Sequence, residues 1–169
     1  MLELRDLEAR LSTDPTLRYW DRKLLRRVFS VGTYSELGKL ALGLAEKMPK
    51  PIMQVCGPIA TGGLNSVEKN LDVLNRTIRK LTLNGEVIFN QMPFEWPMQE
   101  LRRKSTLSVE ETGNMLLNDF YLPVFESGLI SGLHFIYCWE SSYGARWEHG
   151  QAERLGIDIS YLEKDFHLK

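Results

Sequence analysis

Hydrophobic residues recur at helical spacing in the first 48 residues. Asp14-Pro15 is a helix start signal, because an N-cap acceptor is followed by proline. The apolar residues that follow are three or four positions apart, which predicts one helix. These positions are Leu17, Trp20, Leu24 and Val28. A second helix is predicted after Thr33, because Glu36 follows it at capping-box spacing. We therefore expect residues 1–48 to form an N-terminal helical extension.

After residue 48, short apolar runs of strand length alternate with amphipathic stretches. The predicted strands are 52–56, 86–90, 130–138 and 157–161. The predicted helices are 65–84, 99–103, 108–126 and 143–155, of which the first and third start at capping boxes, Asn65 with Glu68 and Ser108 with Glu111. Pro93, Trp96 and Pro97 predict a loop before the helix at 99–103. Because the crossovers are long enough for parallel pairing, residues 49–169 are predicted to be an α/β domain. We expect a three-layer sandwich with a flavodoxin- or Rossmann-like parallel sheet of four to five strands.

Composition and charge narrow the class of protein. The 169 residues are 43% hydrophobic and 25% charged, which is typical of a globular domain. A net charge of −1 gives no electrostatic support for nucleic-acid binding. No apolar run reaches transmembrane length and no signal-peptide pattern is present, so we expect a cytoplasmic protein without a membrane partner. Two cysteines and three scattered histidines lack metal-ligand spacing, so neither a metal nor a cofactor is expected.

The first predicted strand leads into a glycine-rich loop at residues 57–63. A strand, a glycine-rich turn and a helix form a unit that suits phosphate, because backbone amides at a helix start lack internal partners. The dinucleotide-binding fingerprint and the P-loop pattern are both absent, so this loop is a weak signal by itself. The candidate phosphate ligands are Gly57, Pro58, Ile59, Gly62 and Gly63.

A second loop of the same kind follows the predicted strand 130–138. It supplies Ser141, Ser142 and Gly144 as further candidate ligands just before a helix that begins near Tyr143. On that helix, Glu148 shares a face with three apolar residues, which predicts that its carboxylate points towards the sheet. These residues are Ala145, Ala152 and Leu155. Two interpretations remain open: a functional carboxylate, or a structural one paired with Arg146 or Arg154.

Asp119 is a second carboxylate on a predicted apolar face. It shares that face with Met115, Leu116 and Leu122. If the strand order is 2-1-3-4, the first and third strands are neighbours, and the two glycine-containing loops meet at the carboxyl edge of the sheet. Both Asp119 and Glu148 are then within reach of one crevice.

Three segments resemble the nucleoside 2-deoxyribosyltransferase-like superfamily, which includes deoxynucleoside 5′-monophosphate and cytidylate N-glycosidases. The segments are Val55-Cys56-Gly57-Pro58-Ile59, Asn118-Asp119, and residues 139–150 with the order glycine, three residues, glutamate, one residue, glycine. The resemblance covers residues 52–162, omits the N-terminal extension, and looks closest to a bacterial and phage branch.

The resemblance implies a role for each matching residue. Glu148 matches the nucleophilic glutamate, and Asp119 matches the acidic residue near the leaving base. Ser142 lies where the monophosphate hydrolases have a phosphate-binding serine and the classical transferases an aspartate. Pro58 replaces a small polar residue, and Gln54 stands about where an aromatic sugar contact is expected. A homo-oligomer is also implied, because in this family a neighbouring subunit completes the site.

We therefore expect an N-glycosidase that acts on a (deoxy)nucleoside 5′-monophosphate through a glutamate nucleophile. One alternative is transfer of the sugar to a second base. Another is a nucleotide-binding module that senses its ligand without cleaving it, with residues 1–48 as the output surface. NAD glycohydrolysis ranks lower, because the sequence shows no evident second site for the adenosine half.

Overall fold

The computed structural model describes residues 3–168, and these form two compact units. One unit is helical and comprises residues 3–48 and 91–129. The other contains the sheet and comprises residues 49–90 and 130–168. The sequence predicted a helical extension at 1–48 and a separate domain at 49–169, whereas segment 91–129 groups with the N-terminal helices in the structure.

The sheet unit contains four parallel strands. They are β1 (Ile52–Cys56), β2 (Val87–Ile88), β3 (Ile130–Phe135) and β4 (Asp158–Tyr161). The strand order is β2-β1-β3-β4, and all neighbouring pairs are parallel. An α/β fold with a parallel sheet is therefore confirmed. Because β1 and β3 are neighbours, the segments that follow Cys56 and Phe135 leave the sheet at the same edge.

The α-helices are numbered in chain order. They are α1 (Leu4–Arg10), α2 (Arg22–Val28), α3 (Tyr34–Ala45), α4 (Val67–Leu83), α5 (Met92–Lys104), α6 (Val109–Leu116), α7 (Leu122–Glu126) and α8 (Tyr143–Leu155). Of these, α4 and α8 belong to the sheet unit. Within residues 3–168, none of the helices has both the length and the hydropathy needed to cross a bilayer.

Helix α8 begins where the sequence predicted it. The Ser142 side chain caps it by accepting a hydrogen bond from Ala145 N at 3.3 Å, and Gly156 ends it with a φ of 67°. The start of α4 differs by one residue from the prediction. Ser66 is its N-cap, whereas the predicted cap, Asn65, has a left-handed backbone with a φ of 53°.

Two predictions in the helical unit were wrong. The single helix expected after Asp14 is divided, because Asp21 caps a new helix by accepting a hydrogen bond from Leu24 N at 2.7 Å. Only a 3₁₀ turn, Pro15–Leu17, follows Asp14. The loop expected at 91–98 is instead the first half of α5, which has proline in its first turn and Pro97 in its interior.

Asp119 lies in a π-helical segment, Leu117–Tyr121, between α6 and α7. The predicted capping box at Ser108 and Glu111 is present at the start of α6. The π segment adds residues to the turn and so rotates the faces that a regular helix would present. In agreement, Met115 is 41% exposed and Asp119 is half-buried, so the predicted apolar face is not uniformly buried.

The helical unit has a core of aromatic side chains. The Phe94 ring lies 4.9 Å from that of Trp20 and 5.1 Å from that of Phe120.

Glu95, which follows Phe94 on α5, is buried in the same unit and is 8% exposed. Burial raises the pKa of its carboxyl from 4.5 to about 7, and the charge of Arg102 opposes this shift only in part.

Replacing Glu95 by glutamine is expected to stabilise the protein at pH 8 by up to about 3 kcal/mol and to leave stability near pH 4 unchanged. Because the pKa is higher in the folded state, the stability contribution of the protonated carboxyl is complete below pH 4.5 and is lost as the pH rises through about 7. Urea unfolding at pH 4, 6 and 8 measures this effect. Exposed Glu110, replaced in the same way, is the control, and an equal gain for Glu95→Gln at pH 4 and pH 8 would contradict the prediction.

Candidate active site

The loop after β1 and the loop after β3 are in direct contact at the carboxyl edge of the sheet. Gly62 lies against Ser141 so closely that an added Cβ would be 2.3 Å from Ser141 Oγ and 2.4 Å from its carbonyl oxygen. Gly62 also has a φ of 71°, which disfavours other residues. The approach of the two loops therefore depends on a glycine at this position.

Hydrogen bonds join the same two loops. Gly63 N donates to Ser141 Oγ at 2.8 Å, and that hydroxyl donates to Cys138 O at 2.6 Å. Tyr143 N donates to Thr61 Oγ1 at 3.2 Å. The Ser141 hydroxyl, a phosphate ligand candidate from its place in the sequence, thus has both a donor and an acceptor within the protein.

Asn70, on α4, organises the first loop and was missed by the sequence analysis. It is 3% exposed, and its Nδ2 donates to Ile59 O at 3.0 Å and to Gly62 O at 3.1 Å. Its Oδ1 accepts a hydrogen bond from Leu64 N at 2.9 Å. The available signal was a polar residue beside the apolar stripe of α4. The other candidate residues of this loop are also closely packed: an added Cβ on Gly57 would meet Ile136, and one on Gly63 would meet Pro58.

Several backbone donors of the two loops have no acceptor in the part of the chain that the structure describes. The amides of Ala60, Thr61, Gly62 and Gly144 make no hydrogen bond within residues 3–168. The Ser142 hydroxyl uses its oxygen to cap α8 and retains its proton for donation. Unpaired amides together with the positive end of a helix dipole suit an anion such as phosphate.

Glu148 is buried against β1, as its position on α8 predicted. It is 7% exposed, and its Oε1 accepts a hydrogen bond from Gln54 Nε2 at 3.3 Å. The same Gln54 nitrogen donates to Cys56 Sγ at 3.8 Å, and burial together with the negative charge of Glu148 raises the pKa of the Cys56 thiol well above its ordinary value. Of the two arginines that the sequence offered as partners, Arg146 donates to Glu140 O at 2.6 Å and Arg154 donates to Gln151 Oε1 at 2.8 Å.

Gln54 carries an unsatisfied polar atom beside Glu148. Its side chain is fully buried, and no hydrogen-bond donor within residues 3–168 reaches its Oε1. Leaving a buried acceptor unpaired costs about 1–3 kcal/mol, and a ligand that supplies a donor removes this cost.

An aromatic cluster forms around His149, the residue that follows Glu148 on α8. The His149 ring stacks on Trp139, with centroids 4.4 Å apart and an interplanar angle of 9°, and its Nε2 lies 2.7 Å from Tyr161 Oη. Phe135 packs against both rings. One face of Trp139 is thus occupied by His149, whereas Tyr161 is 60% exposed.

The second predicted catalytic residue, Asp119, belongs to the helical unit. Its assigned role therefore rests on the resemblance.

Among residues 3–168, no group of three or more histidine, cysteine, aspartate or glutamate side chains is arranged to hold a metal ion.

The geometry thus provides a buried, hydrogen-bonded carboxylate and two joined loops with unpaired amides at one edge of a parallel sheet. Comparisons of the chain with protein-family models, with curated proteins and with solved structures found no match.

Proposed function

We propose that the protein is an N-glycosidase that cleaves the base–sugar bond of a (deoxy)nucleoside 5′-monophosphate. The observation that carries this proposal is the buried Glu148 carboxylate on α8, which accepts a hydrogen bond from Gln54 on β1. The proposal takes the sheet as flavodoxin-like, for which the order β2-β1-β3-β4 is the support. It also takes the active protein as a homo-oligomer, on the basis of the resemblance.

In the proposed reaction, Glu148 attacks C1′ of the sugar as the bond to the base breaks. The transition state has oxocarbenium character, which a carboxylate close to the anomeric carbon stabilises. The resemblance gives Asp119 the role of the acid that donates a proton to the departing base. Water then attacks C1′ of the glycosyl-enzyme and gives up one proton, which restores the acid, and the C1′–oxygen bond to Glu148 breaks to release a (deoxy)ribose 5-phosphate and the free carboxylate.

The 5′-phosphate is proposed to bind where the two loops meet. The unpaired amides of residues 60–62 and of Gly144 would donate to its oxygens, with a further hydrogen bond from the Ser142 hydroxyl. This arrangement needs no metal ion, because amides and a helix start supply the positive potential.

The unpaired Gln54 Oε1 supports a hydroxylated ligand. The Nε2 atom of the same amide group donates to Glu148, so the unpaired Oε1 lies close to the proposed nucleophile. On a nucleotide bound with C1′ at Glu148, the hydroxyl nearest to this position is the one on C2′ when the sugar is ribose.

The test is chromatography for free base after incubation with ribo- and deoxyribonucleoside 5′-monophosphates and with the corresponding nucleosides. Base release from monophosphates, with much less from nucleosides, is the expected result. A higher kcat/KM for ribonucleotides would identify the 2′-hydroxyl as the donor to Gln54. Exchange of an added free base into the product would favour the transferase, and binding without release would favour the sensor.

A further inference from the structure

Asn70 on α4 makes three hydrogen bonds to the backbone of the loop that precedes this helix. Its Nδ2 carries two protons, one for Ile59 O at 3.0 Å and one for Gly62 O at 3.1 Å. Its Oδ1 accepts a hydrogen bond from Leu64 N at 2.9 Å. Two carbonyls on one side and an N–H on the other fix the orientation of the side-chain amide. The side chain is buried, so these hydrogen bonds are protected from competition with water.

The hydrogen bond to Ile59 O determines the direction of the Ala60 amide. The peptide bond between these two residues is planar and trans, so its C=O and N–H point in opposite directions. Because Asn70 holds the carbonyl, the Ala60 N–H points away from Asn70. Ala60 is exposed, and its amide has no acceptor within residues 3–168. Helix α4 begins only at Val67, so the Ala60 amide is not one of the first amides of that helix.

The hydrogen bond to Gly62 O has the same effect on an amide whose acceptor is known. The N–H on the other side of that peptide belongs to Gly63, and it donates to Ser141 Oγ at 2.8 Å. This hydrogen bond joins the two loops. The Asn70 side chain therefore orients both the amide that connects the loops and the amide of Ala60, which is open to a ligand.

We propose that Asn70 is a positioning residue, which orients the Ala60 amide to donate a hydrogen bond to the 5′-phosphate. The inference rests on the proposed function, which takes the phosphate to bind where the two loops meet. Without Asn70 the peptide between Ile59 and Ala60 is free to rotate, and the oriented donor is lost. The acceptor is an anion, so the hydrogen bond at stake is of the stronger, charge-assisted kind.

The role can be tested without an activity assay, by NMR of protein labelled with 15N-alanine and titrated with inorganic phosphate. The chain has six alanines, so the spectrum is simple, and Ala60→Gly identifies the signal of Ala60. We expect the Ala60 amide signal to move saturably as phosphate binds, because the amide gains an acceptor. Ala152, which is buried near the end of α8, provides a reference signal that should not move.

Asn70→Leu is the main variant, because leucine is close to asparagine in size and offers neither a donor nor an acceptor. We expect it to raise the Kd for inorganic phosphate about tenfold, as for loss of one hydrogen bond to a charged group. Asn75→Leu is the matched control, since it makes the same change at a half-buried position of α4, and its Kd should be that of the original protein. Asn70→Ala is a second variant for the case in which leucine prevents folding.

Kinetics of base release test the same role with the proposed substrates. For Asn70→Leu we expect kcat/KM for nucleoside monophosphates to fall about tenfold, mainly through a higher KM. The values for unphosphorylated nucleosides should change little, because they have no phosphate to accept a hydrogen bond from the Ala60 amide. A smaller folded fraction, in contrast, would lower both values by the same factor.

The outcomes separate this inference from the proposed function. An Ala60 signal that ignores phosphate, an unchanged Kd in Asn70→Leu, or equal rises in Asn70→Leu and Asn75→Leu would overturn the positioning role. Unfolding of both Asn70 variants would also overturn it, because Asn70 would then be a requirement of the fold. Phosphate binding that depends on Asn70, with no base release from any protein, would overturn the proposed function and leave the role of Asn70 in phosphate binding intact.

Discussion

Replacing Glu148 by glutamine is expected to reduce kcat for base release by about 10³-fold or more, with the fold retained. Glutamine has nearly the same shape, and its carbonyl oxygen still accepts the hydrogen bond from Gln54. It lacks the negative charge and cannot form the glycosyl ester, so the oxocarbenium-like transition state loses its stabilising partner. Steady-state chromatography of free base, with circular dichroism of both proteins, provides the measurement.

A matched control lies on the same helix. Glu153 is five residues further along α8, its side chain is 67% exposed, and it lies 3.7 Å from His149 Nδ1. Glu153→Gln removes the same charge from the same helix, and we expect it to leave kcat within about twofold, as for exposed positions away from the chemistry. Equal losses in the two variants would indicate a general effect of charge on α8 and would contradict the assignment.

The chemical role of Glu148 has a sharper test in Glu148→Ala with added azide. A small anion can occupy the space of the missing carboxylate and attack C1′, which would give a glycosyl azide and partial recovery of base release. Recovery with azide, together with that product, would identify a nucleophile. A Glu148→Ala protein that is as active as the original would refute the role of this residue.

The parts of the fold that the sequence predicted well are those in which one local signal dominates. Strand β1 is a short apolar run that begins directly after a proline, and α8 has both a serine N-cap and a glycine C-cap. The segment 91–98 was mispredicted because Pro93 and Pro97 were taken as helix breakers. Proline in a first turn is compatible with a helix, and buried Phe94 and Met98 favour the helical conformation of α5 through packing.

The candidate site was predictable only to the level of its loops. The 2-1-3-4 order brings the segments after β1 and β3 to one edge, and the apolar face of α8 indicated that Glu148 is buried. Its partners were not predictable, because Gln54 is 94 positions away in the sequence. Contacts at that separation depend on how side chains pack between a helix and a strand, and periodicity carries no information about them.

Replacing Ser142 by aspartate is expected to reduce kcat/KM for nucleoside monophosphates by about 10²-fold, equivalent to about 3 kcal/mol of charge repulsion. Ser142 is 4% exposed and caps α8 through its bond to Ala145 N. Aspartate caps helices as well as serine does, and its charge is favoured at a helix start. The helix should therefore persist while the site for the 5′-phosphate gains a negative charge.

The unphosphorylated nucleosides are the internal reference for this prediction. Nucleosides have no phosphate charge, so the carboxylate introduced by Ser142→Asp does not repel them. Their kcat/KM should therefore be the same in Ser142→Asp as in the original protein, or higher. The resemblance points in the same direction, since the classical transferases have an aspartate at this place. Ser142→Ala serves as the second variant: it removes the cap, at a cost of about 1 kcal/mol of stability, and adds no charge.

The ratio of kcat/KM for a monophosphate to that for its nucleoside decides the role of Ser142. We expect this ratio to fall most in Ser142→Asp, less in Ser142→Ala, and to recover partly at high ionic strength, where repulsion is screened. Urea unfolding should rank the proteins differently, with Ser142→Asp close to the original and Ser142→Ala below it. A ratio that followed stability would make Ser142 a helix cap only, whereas a ratio that followed charge would place the 5′-phosphate at the start of α8.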